Sequence, residues 1–119
     1  TLLTAELDEP RAYGRVVRRD GMVVAIVEVK DADPAQLEIK EVSTSVYVFT
    51  SMHLPGALAR LGTDNAQGEY YLTDVVEILV GDGLTVAGYA GDPDEGLGIN
   101  SLDQVAGVAS LLRQRHSAG

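Results

Sequence analysis

The sequence contains no cysteine and no tryptophan, and only 5% of its 119 residues are aromatic. Without cysteine, the chain forms neither a disulfide nor a thiolate metal site. Its two histidines, His53 and His116, lie far apart and lack the spacing of a ligand pair. Any core must therefore consist of aliphatic side chains, and the 45% apolar content allows one.

Positive charge is also scarce, because the chain has nine Lys and Arg residues and eighteen Asp and Glu residues, which gives a net charge of −9. Nucleic acids and anionic membrane surfaces are bound by clustered Lys and Arg, so neither is an expected partner. No apolar run approaches the roughly 18–20 residues of a membrane-spanning helix. No secretory signal is visible either, and we therefore expect a cytoplasmic protein.

The chain begins with TLLTAEL, which is an apolar run without an initial methionine. We interpret this run as a strand that belongs to a longer chain. The 119 residues of the sequence correspond to one domain, or to part of one.

Apolar periodicity predicts a mixture of strands and helices. Asp20-Gly21 between two β-branched runs indicates a hairpin. One segment has the apolar stripe of a helix, formed by Leu72, Val75, Val76, Ile78 and Leu79. The predicted strands are residues 1–7, 15–19, 21–29, 41–49 and 84–89, and the predicted helices are 51–61, 69–80 and a last one from 101. This order predicts an α/β fold.

Polar and aromatic residues are densest in NAQGEYYLTD, Asn65 to Asp74. We interpret 65–68 as a loop and 69–74 as the first turns of a helix, where carboxylates suit the positive end of the dipole. The alternative is an acid–base site formed by its Tyr, Glu and Asp side chains. The helix is favoured because no nucleophile or histidine lies nearby in the sequence, and no catalytic residue is predicted.

Three further positions are candidates for binding a ligand. Gly14 in AYGR permits close approach of a ligand to the backbone, or simply forms a turn. Glu28 follows an apolar strand, where α/β sheets bind ligands, although strands also end on polar residues to reach solvent. Asn100 precedes a helix and suits a phosphate, Mg²⁺ or a local cap. The residues alone indicate no more than an anionic-ligand site.

Taken in order, DEPRAYGRVVRRDG, AIVEVKDAD, EVSTSVYVF, NAQGEYYLTDVVEIL and GLGIN span nearly the whole chain. Together they resemble the uridyltransferase domain of the bifunctional bacterial enzyme that makes UDP-N-acetylglucosamine, a sugar-1-phosphate nucleotidyltransferase. The resemblance implies a partial Rossmann-like domain with a mixed sheet and flanking helices. It also implies a nucleotidyltransferase with a role in cell-wall and peptidoglycan synthesis.

The implied reaction converts UTP and N-acetylglucosamine-1-phosphate to UDP-N-acetylglucosamine and pyrophosphate, with Mg²⁺ as cofactor. By the resemblance, the backbone of Gly14 contacts the sugar nucleotide and Glu28 binds sugar hydroxyls. Asn100 helps to hold Mg²⁺ and the phosphates. Ser43 stands where the family has the asparagine of Asn-x-Gly, which bonds the sugar, and Ser45 stands where the family has the glycine.

Two other parts of the family are missing from this sequence. The L-x-x-G-x-G-T-R-M loop that cradles the nucleotide is absent, together with the Asp that shares the metal with the Asn. The C-terminal acetyltransferase β-helix is absent as well. Residues 1–119 therefore resemble the sugar-binding half of one domain, and we expect this chain alone to be inactive.

The expected partners are UTP or a UDP-sugar, a sugar-1-phosphate and the N-terminal half of the domain. An uncovered sheet edge also predicts self-association into a homo-oligomer. Because of Ser43 and Ser45, two alternatives stay open. One is a catalytically inactive module that binds sugar nucleotides or has a regulatory role. The other is a paralogue with another sugar specificity.

Overall fold

The computed structural model describes residues 1–95, 98 and 102–117. Within them the chain forms five strands and four α-helices, and the predicted α/β class is confirmed. The strands are β1 (Leu2–Glu6), β2 (Arg15–Arg19), β3 (Met22–Val27), β4 (Glu41–Tyr47) and β5 (Gly88–Ala90). The helices are α1 (Pro34–Leu37), α2 (Leu54–Leu58), α3 (Asp74–Gly81) and α4 (Leu102–Ser117), and a 3₁₀ turn covers Pro93–Glu95.

The five strands found in the described part of the chain form one mixed open sheet in the order β3-β2-β4-β1-β5. Only β1 and β5 are parallel, and the other neighbours run antiparallel. β2 meets β4 through a single residue pair, Arg15 with Val42. The β2–β3 hairpin is thus joined to the rest of the sheet at the end where Gly14 lies.

The turn between β2 and β3 confirms the hairpin predicted from Asp-Gly. Asp20 and Gly21 both have positive φ angles, 51° and 81°, as a two-residue turn of this kind requires. Arg19 and Met22 pair directly on either side of it.

The core lies between the sheet and helix α3. Val75 and Val76 of α3 are fully buried against Val23 and Ile26 of β3 and Leu2 of β1. Leu72, which belonged to the predicted stripe, lies outside α3 and is 47% exposed. Helix α4 buries none of its residues. None of the described helices is long and apolar enough to cross a membrane.

The predicted helix 69–80 was wrong at its start, because α3 begins at Asp74. The carboxamide of Asn65 binds the backbone of the preceding loop. Its Oδ1 accepts the N–H groups of Gln67 and Glu69, both at 3.2 Å, and its Nδ2 donates to the Glu69 carbonyl at 2.6 Å. These local bonds replace those of a first helical turn, and Gly68 supplies a positive φ.

Candidate functional site

Three of the four predicted site residues, Gly14, Glu28 and Ser43, lie together where the hairpin joins β4. The Ser43 N–H donates to the Gly14 carbonyl at 3.0 Å. A Cβ placed on Gly14 would lie 3.3 Å from Oε1 of Glu28. The fourth residue, Asn100, lies outside the described residues, as does Ser101 at the predicted start of the last helix.

Gly14 is buried, and the space beside its Cα is already occupied. A Cβ there would meet Cγ2 of Ile26 at 3.0 Å as well as the Glu28 carboxylate. The glycine therefore allows β3 and the Glu28 side chain to approach this turn closely. Any larger residue at position 14 would push against the carboxylate.

Arg15 holds the AYGR turn in place, a role that sequence reasoning missed. It is only 4% exposed, and its guanidinium donates to the carbonyls of Pro10 (3.4 Å), Arg11 (3.1 Å), Tyr13 and Leu37 (3.4 Å). A buried cation is tolerated when its donors are satisfied in this way. Among the described residues it makes no salt bridge, so its charge is stabilised by backbone dipoles.

Glu28 follows the last residue of β3 and is half-buried. The Thr73 hydroxyl donates to its Oε1 at 3.2 Å. Thr73 occupies the N-cap position of α3, yet its side chain makes no capping bond. The threonine therefore orients the carboxylate instead of capping the helix.

Ser43 is buried, at 5% exposure, and its hydroxyl has two polar neighbours. Its Oγ lies 3.3 Å from the Tyr47 hydroxyl and accepts the Ser45 N–H at 3.3 Å. Ser45, which stands where the family has glycine, has a φ of 62°. The backbone at this position has the left-handed conformation that glycine adopts most easily.

Tyr47 is a second residue that sequence reasoning missed. Burial raises the pKa of its phenol, and the nearby Glu28 carboxylate raises it further, while Ser43 opposes both effects. Alternation in EVSTSVYVF gave no sign that Tyr47 would meet Ser43, because an irregularity in β4 is needed to bring them together.

The NAQGEYYLTD segment packs beside Glu28 and shapes the site. Asp31, just beyond β3, accepts the Ala66 N–H at 2.7 Å. The Gln67 side chain accepts from Lys30 Nζ and donates to the Tyr71 hydroxyl, both at 2.7 Å. Tyr71 is partly buried, whereas Tyr70 is 72% exposed and faces the solvent.

A cleft of about 450 Å³ opens between the end of β3, the 60–65 segment and α3, and Glu28 forms part of its wall. Asp31, Asp64, Asp74 and Glu77 also line it, so the cleft is strongly acidic. Burial raises the pKa of Asp74, and Glu77 and Asp31 add to this effect. Among the described residues that line the cleft, the one cation is Arg60, which is bonded to Asp82 through both terminal nitrogens.

Tyr13 connects the AYGR turn to Gly98. Its hydroxyl accepts the Gly98 N–H at 2.7 Å and donates to the Gly98 carbonyl at 3.3 Å. Tyr13 therefore holds Gly98 beside the AYGR turn.

The described residues do not form a metal site on their own. Across residues 1–95, 98 and 102–117, no three His, Asp or Glu side chains are grouped so that they could hold a metal ion. Asn100, the predicted Mg²⁺ ligand, lies outside these residues.

The chain is an α/β domain with a mixed open sheet, consistent with part of a nucleotidyltransferase-like domain. No protein-family model matches the sequence.

Curated relatives give a more particular likeness, to part of the bifunctional protein GlmU. The chain is 51% identical to GlmU of Pelotomaculum thermopropionicum over 117 residues, which cover 97% of this chain and 26% of the relative. It is 50% identical to GlmU of Bacillus cytotoxicus over 117 residues, with the same coverage. It is 45% identical to GlmU of Lactobacillus delbrueckii subsp. bulgaricus over 121 residues, or 100% of this chain and 26% of the relative. The chain therefore spans about a quarter of the length of these relatives.

Proposed function

We propose that this chain is the sugar-binding half of a uridyltransferase domain that makes UDP-N-acetylglucosamine from UTP and N-acetylglucosamine-1-phosphate. The observation that carries the proposal is the cluster of Gly14, Glu28 and Ser43. Three separate motifs of the GlmU-like sequence supply these residues. The identity of 45–51% to part of GlmU supports the same family of reactions.

The charge of the cleft indicates which part of the substrate it binds. Glu28 and four other carboxylates line it, so a phosphate group would be repelled there. Sugar hydroxyls instead donate well to carboxylates. We propose that Glu28, which is oriented by Thr73, accepts hydrogen bonds from the sugar, and that the phosphates lie towards the AYGR turn and Gly98.

The chemistry required of this half is positioning. Transfer of a nucleotidyl group needs an aligned attacking oxygen and stabilised charge, and no covalent enzyme intermediate. Residues around Glu28 would fix the sugar, and hence the direction of its phosphate oxygen. Mg²⁺ stays a proposal that rests on Asn100 and on ligands from outside this chain.

We further propose that residues 1–119 alone do not catalyse the transfer, because the sequence holds no L-x-x-G-x-G-T-R-M loop to cradle UTP. A pyrophosphate assay with UTP, N-acetylglucosamine-1-phosphate and Mg²⁺ tests this. No release is expected from the chain alone, and release above background would overturn this part of the proposal.

Sugar binding is tested separately, by titrating the ¹⁵N-labelled chain with UDP-N-acetylglucosamine. The expected result is a set of shifts at Gly14, Glu28 and Ser43. Glu28→Gln removes the charged acceptor and should weaken binding about tenfold or more. Glu69→Gln, an exposed carboxylate on the adjoining loop, should bind like the wild type. A well-dispersed spectrum with no shifts at millimolar ligand contradicts the proposal.

A second candidate is a paralogue that acts on another sugar. The observation in its favour is that Ser43 replaces an amide with a hydroxyl, and that this hydroxyl is bonded to Tyr47. Titration with UDP-glucose and UDP-N-acetylglucosamine separates the two candidates. Tighter binding of UDP-glucose supports the paralogue, and tighter binding of UDP-N-acetylglucosamine supports the first proposal.

A further inference from the structure

Ser43 and Tyr47 are closer together than a regular strand permits. The Cα atoms of residues four apart along a regular strand are separated by roughly 13 Å, which holds their side chains apart. In this chain the hydroxyl oxygens of Ser43 and Tyr47 nevertheless lie 3.3 Å apart. The register of β4 against β1 jumps, since Val46 pairs with Leu3 whereas Ser43 pairs with Thr4, and Ser45 has a φ of 62°. The irregularity folds β4 so that both side chains reach one place.

The ring of Tyr47 is held firmly while its hydroxyl stays close to the site. It stacks on Phe49, with ring centroids 5.5 Å apart and planes inclined by 14°. Burial and the charge of Glu28 both raise the pKa of the phenol, so Tyr47 keeps its proton at neutral pH. The Tyr47 hydroxyl lies 3.3 Å from Ser43 Oγ, and the Ser43 backbone is bonded to Gly14, so the phenol reaches the cluster of predicted site residues.

The bond between the two hydroxyls is weak, which leaves them available to a ligand. Their separation of 3.3 Å exceeds the usual distance of about 2.7–2.8 Å for an O–H donor. Each hydroxyl has one donor and two acceptor positions. A sugar hydroxyl or acetamido group would therefore gain bonds here without breaking a strong one.

We propose, on the basis of the sugar site proposed above, that Tyr47 contacts the sugar and that the Ser43–Tyr47 hydroxyl pair does the work of the asparagine side chain that Ser43 replaces. The phenol oxygen lies 3.3 Å from the hydroxyl of the shorter serine and so adds a second polar group at this place. Because the tyrosine is anchored by Phe49, little ordering is needed on binding. Tyr47 is thus a binding residue of this chain, additional to Gly14, Glu28 and Ser43.

Tyr47→Phe tests the proposal, because it removes the hydroxyl and keeps the stacked ring. Dissociation constants for UDP-N-acetylglucosamine and for UDP are measured by ¹⁵N titration of the 119-residue chain. The variant should bind UDP-N-acetylglucosamine about three- to tenfold more weakly, as expected for loss of one hydrogen bond. Its response to UDP should be unchanged. Tyr89→Phe, which removes a 69% exposed phenol on β5, is the matched control and should behave like the wild type.

Ser43→Asn gives a second, reciprocal test. The longer side chain needs the space that the phenol oxygen fills, so the single variant should bind the sugar nucleotide more weakly than wild type. Removing that oxygen as well, in Ser43→Asn/Tyr47→Phe, should recover affinity relative to either single variant. Such recovery is not expected if the two hydroxyls only support the fold.

The outcomes separate this proposal from the proposed function. If wild type binds UDP-N-acetylglucosamine and Tyr47→Phe binds it within twofold of wild type, the role of Tyr47 is overturned and the sugar site stands. If Tyr47→Phe weakens UDP and UDP-N-acetylglucosamine equally, the phenol acts on the fold and not on the sugar, which also overturns it. If a folded wild-type chain binds no sugar nucleotide, both proposals fail.

Discussion

The hydroxyl of Thr73, at the start of helix α3, donates a hydrogen bond of 3.2 Å to the carboxylate of Glu28, at the end of strand β3. The two residues are 45 positions apart, and each belongs to a different motif of the sequence. The bond links the segment that opens α3 to the proposed sugar-binding carboxylate. It also uses the side chain that would otherwise cap the helix.

Thr73→Val should therefore impair binding more than stability. Valine keeps the shape of threonine but cannot orient Glu28, and we expect affinity for UDP-N-acetylglucosamine to fall about three- to tenfold. Stability should change by less than about 1 kcal/mol, because no capping bond is lost. Titration and urea denaturation measure the two effects. Thr63→Val, in an exposed loop, is the control, and a large loss of stability without loss of affinity would contradict the prediction.

Arg15→Lys should destabilise the chain strongly. The guanidinium of Arg15 reaches four carbonyls in different directions, whereas an ammonium group on a thinner stem cannot reach them all. We expect a loss of about 2–4 kcal/mol in the free energy of unfolding, since the buried charge is left partly unsatisfied.

Arg19→Lys provides the matched control for this experiment, because Arg19 is exposed on the same strand. Its cost should be within about 0.5 kcal/mol. Equal urea midpoints for the two variants would show that the carbonyl contacts of Arg15 contribute nothing to stability.

Much of the fold was predictable from local patterns, and the parts that were not depend on distant contacts. Asp20-Gly21 specified its own turn, because both residues accept a positive φ. The almost continuously apolar run MVVAIVEV is typical of a strand that is buried on both faces, but β3 is only partly buried. β3 lies at the edge of the described sheet, Met22 is 47% exposed, and only Val23 and Ile26 are fully buried. Composition cannot tell an edge strand from a central one.

The candidate site was predictable only as far as its motifs. Gly14, Glu28 and Ser43 were named from the sequence, and the structure brings them together. Arg15 was missed because a buried arginine and a surface arginine look alike when the carbonyls that receive it are unknown. Tyr47 was missed because a strand irregularity has no reliable signal in the sequence. The one local sign was Ser45, which stands where the family has glycine and lies at the irregularity of β4.

Acid should remove part of the stability contributed by Arg18 and Glu41. Arg18 donates to both carboxylate oxygens of Glu41 at 2.7 Å, and this bonding lowers the pKa of Glu41 below its ordinary value of 4.5. A carboxylate with a depressed folded pKa stabilises the fold above its unfolded pKa, and loses that contribution as pH falls through the folded value. The advantage of wild type over Arg18→Gln should thus be full at pH 7 and shrink below about pH 4.5.

The pair is partly exposed, with side-chain exposures of 31% and 21%, so its charge contribution at pH 7 should be only about 1 kcal/mol. Arg18 also donates to the carbonyls of Gly21 and Gly88, and that part of the difference should persist in acid. Lys40→Gln disrupts a pair with the fully exposed Asp8 and should have almost no effect at any pH. Urea denaturation between pH 3 and 7 provides the measurement, and a difference independent of pH would rule out the role of Glu41.

Ser45→Gly should stabilise the chain. A non-glycine residue at a φ of 62° destabilises the folded state by roughly 1–2 kcal/mol, and glycine removes this strain. Glycine also increases the conformational entropy of the unfolded chain, which offsets roughly 0.4–1 kcal/mol of the gain. The expected net gain in the free energy of unfolding is therefore between about 0 and about 1.6 kcal/mol. Ser51→Gly, in an exposed turn where φ is not positive, should instead leave stability unchanged or lower it. Both are measured by urea denaturation.

The same substitution also bears on why a serine is present. The Ser45 N–H donates to the Ser43 hydroxyl, and glycine keeps that donor. If Ser45→Gly stabilises the fold and leaves affinity for UDP-N-acetylglucosamine unchanged, the serine is a tolerated strain in β4. If it stabilises the fold and weakens binding, the serine side chain itself contributes to the site, and the cost in stability has a function. A loss of stability would instead show that the left-handed backbone at position 45 is not strained by serine.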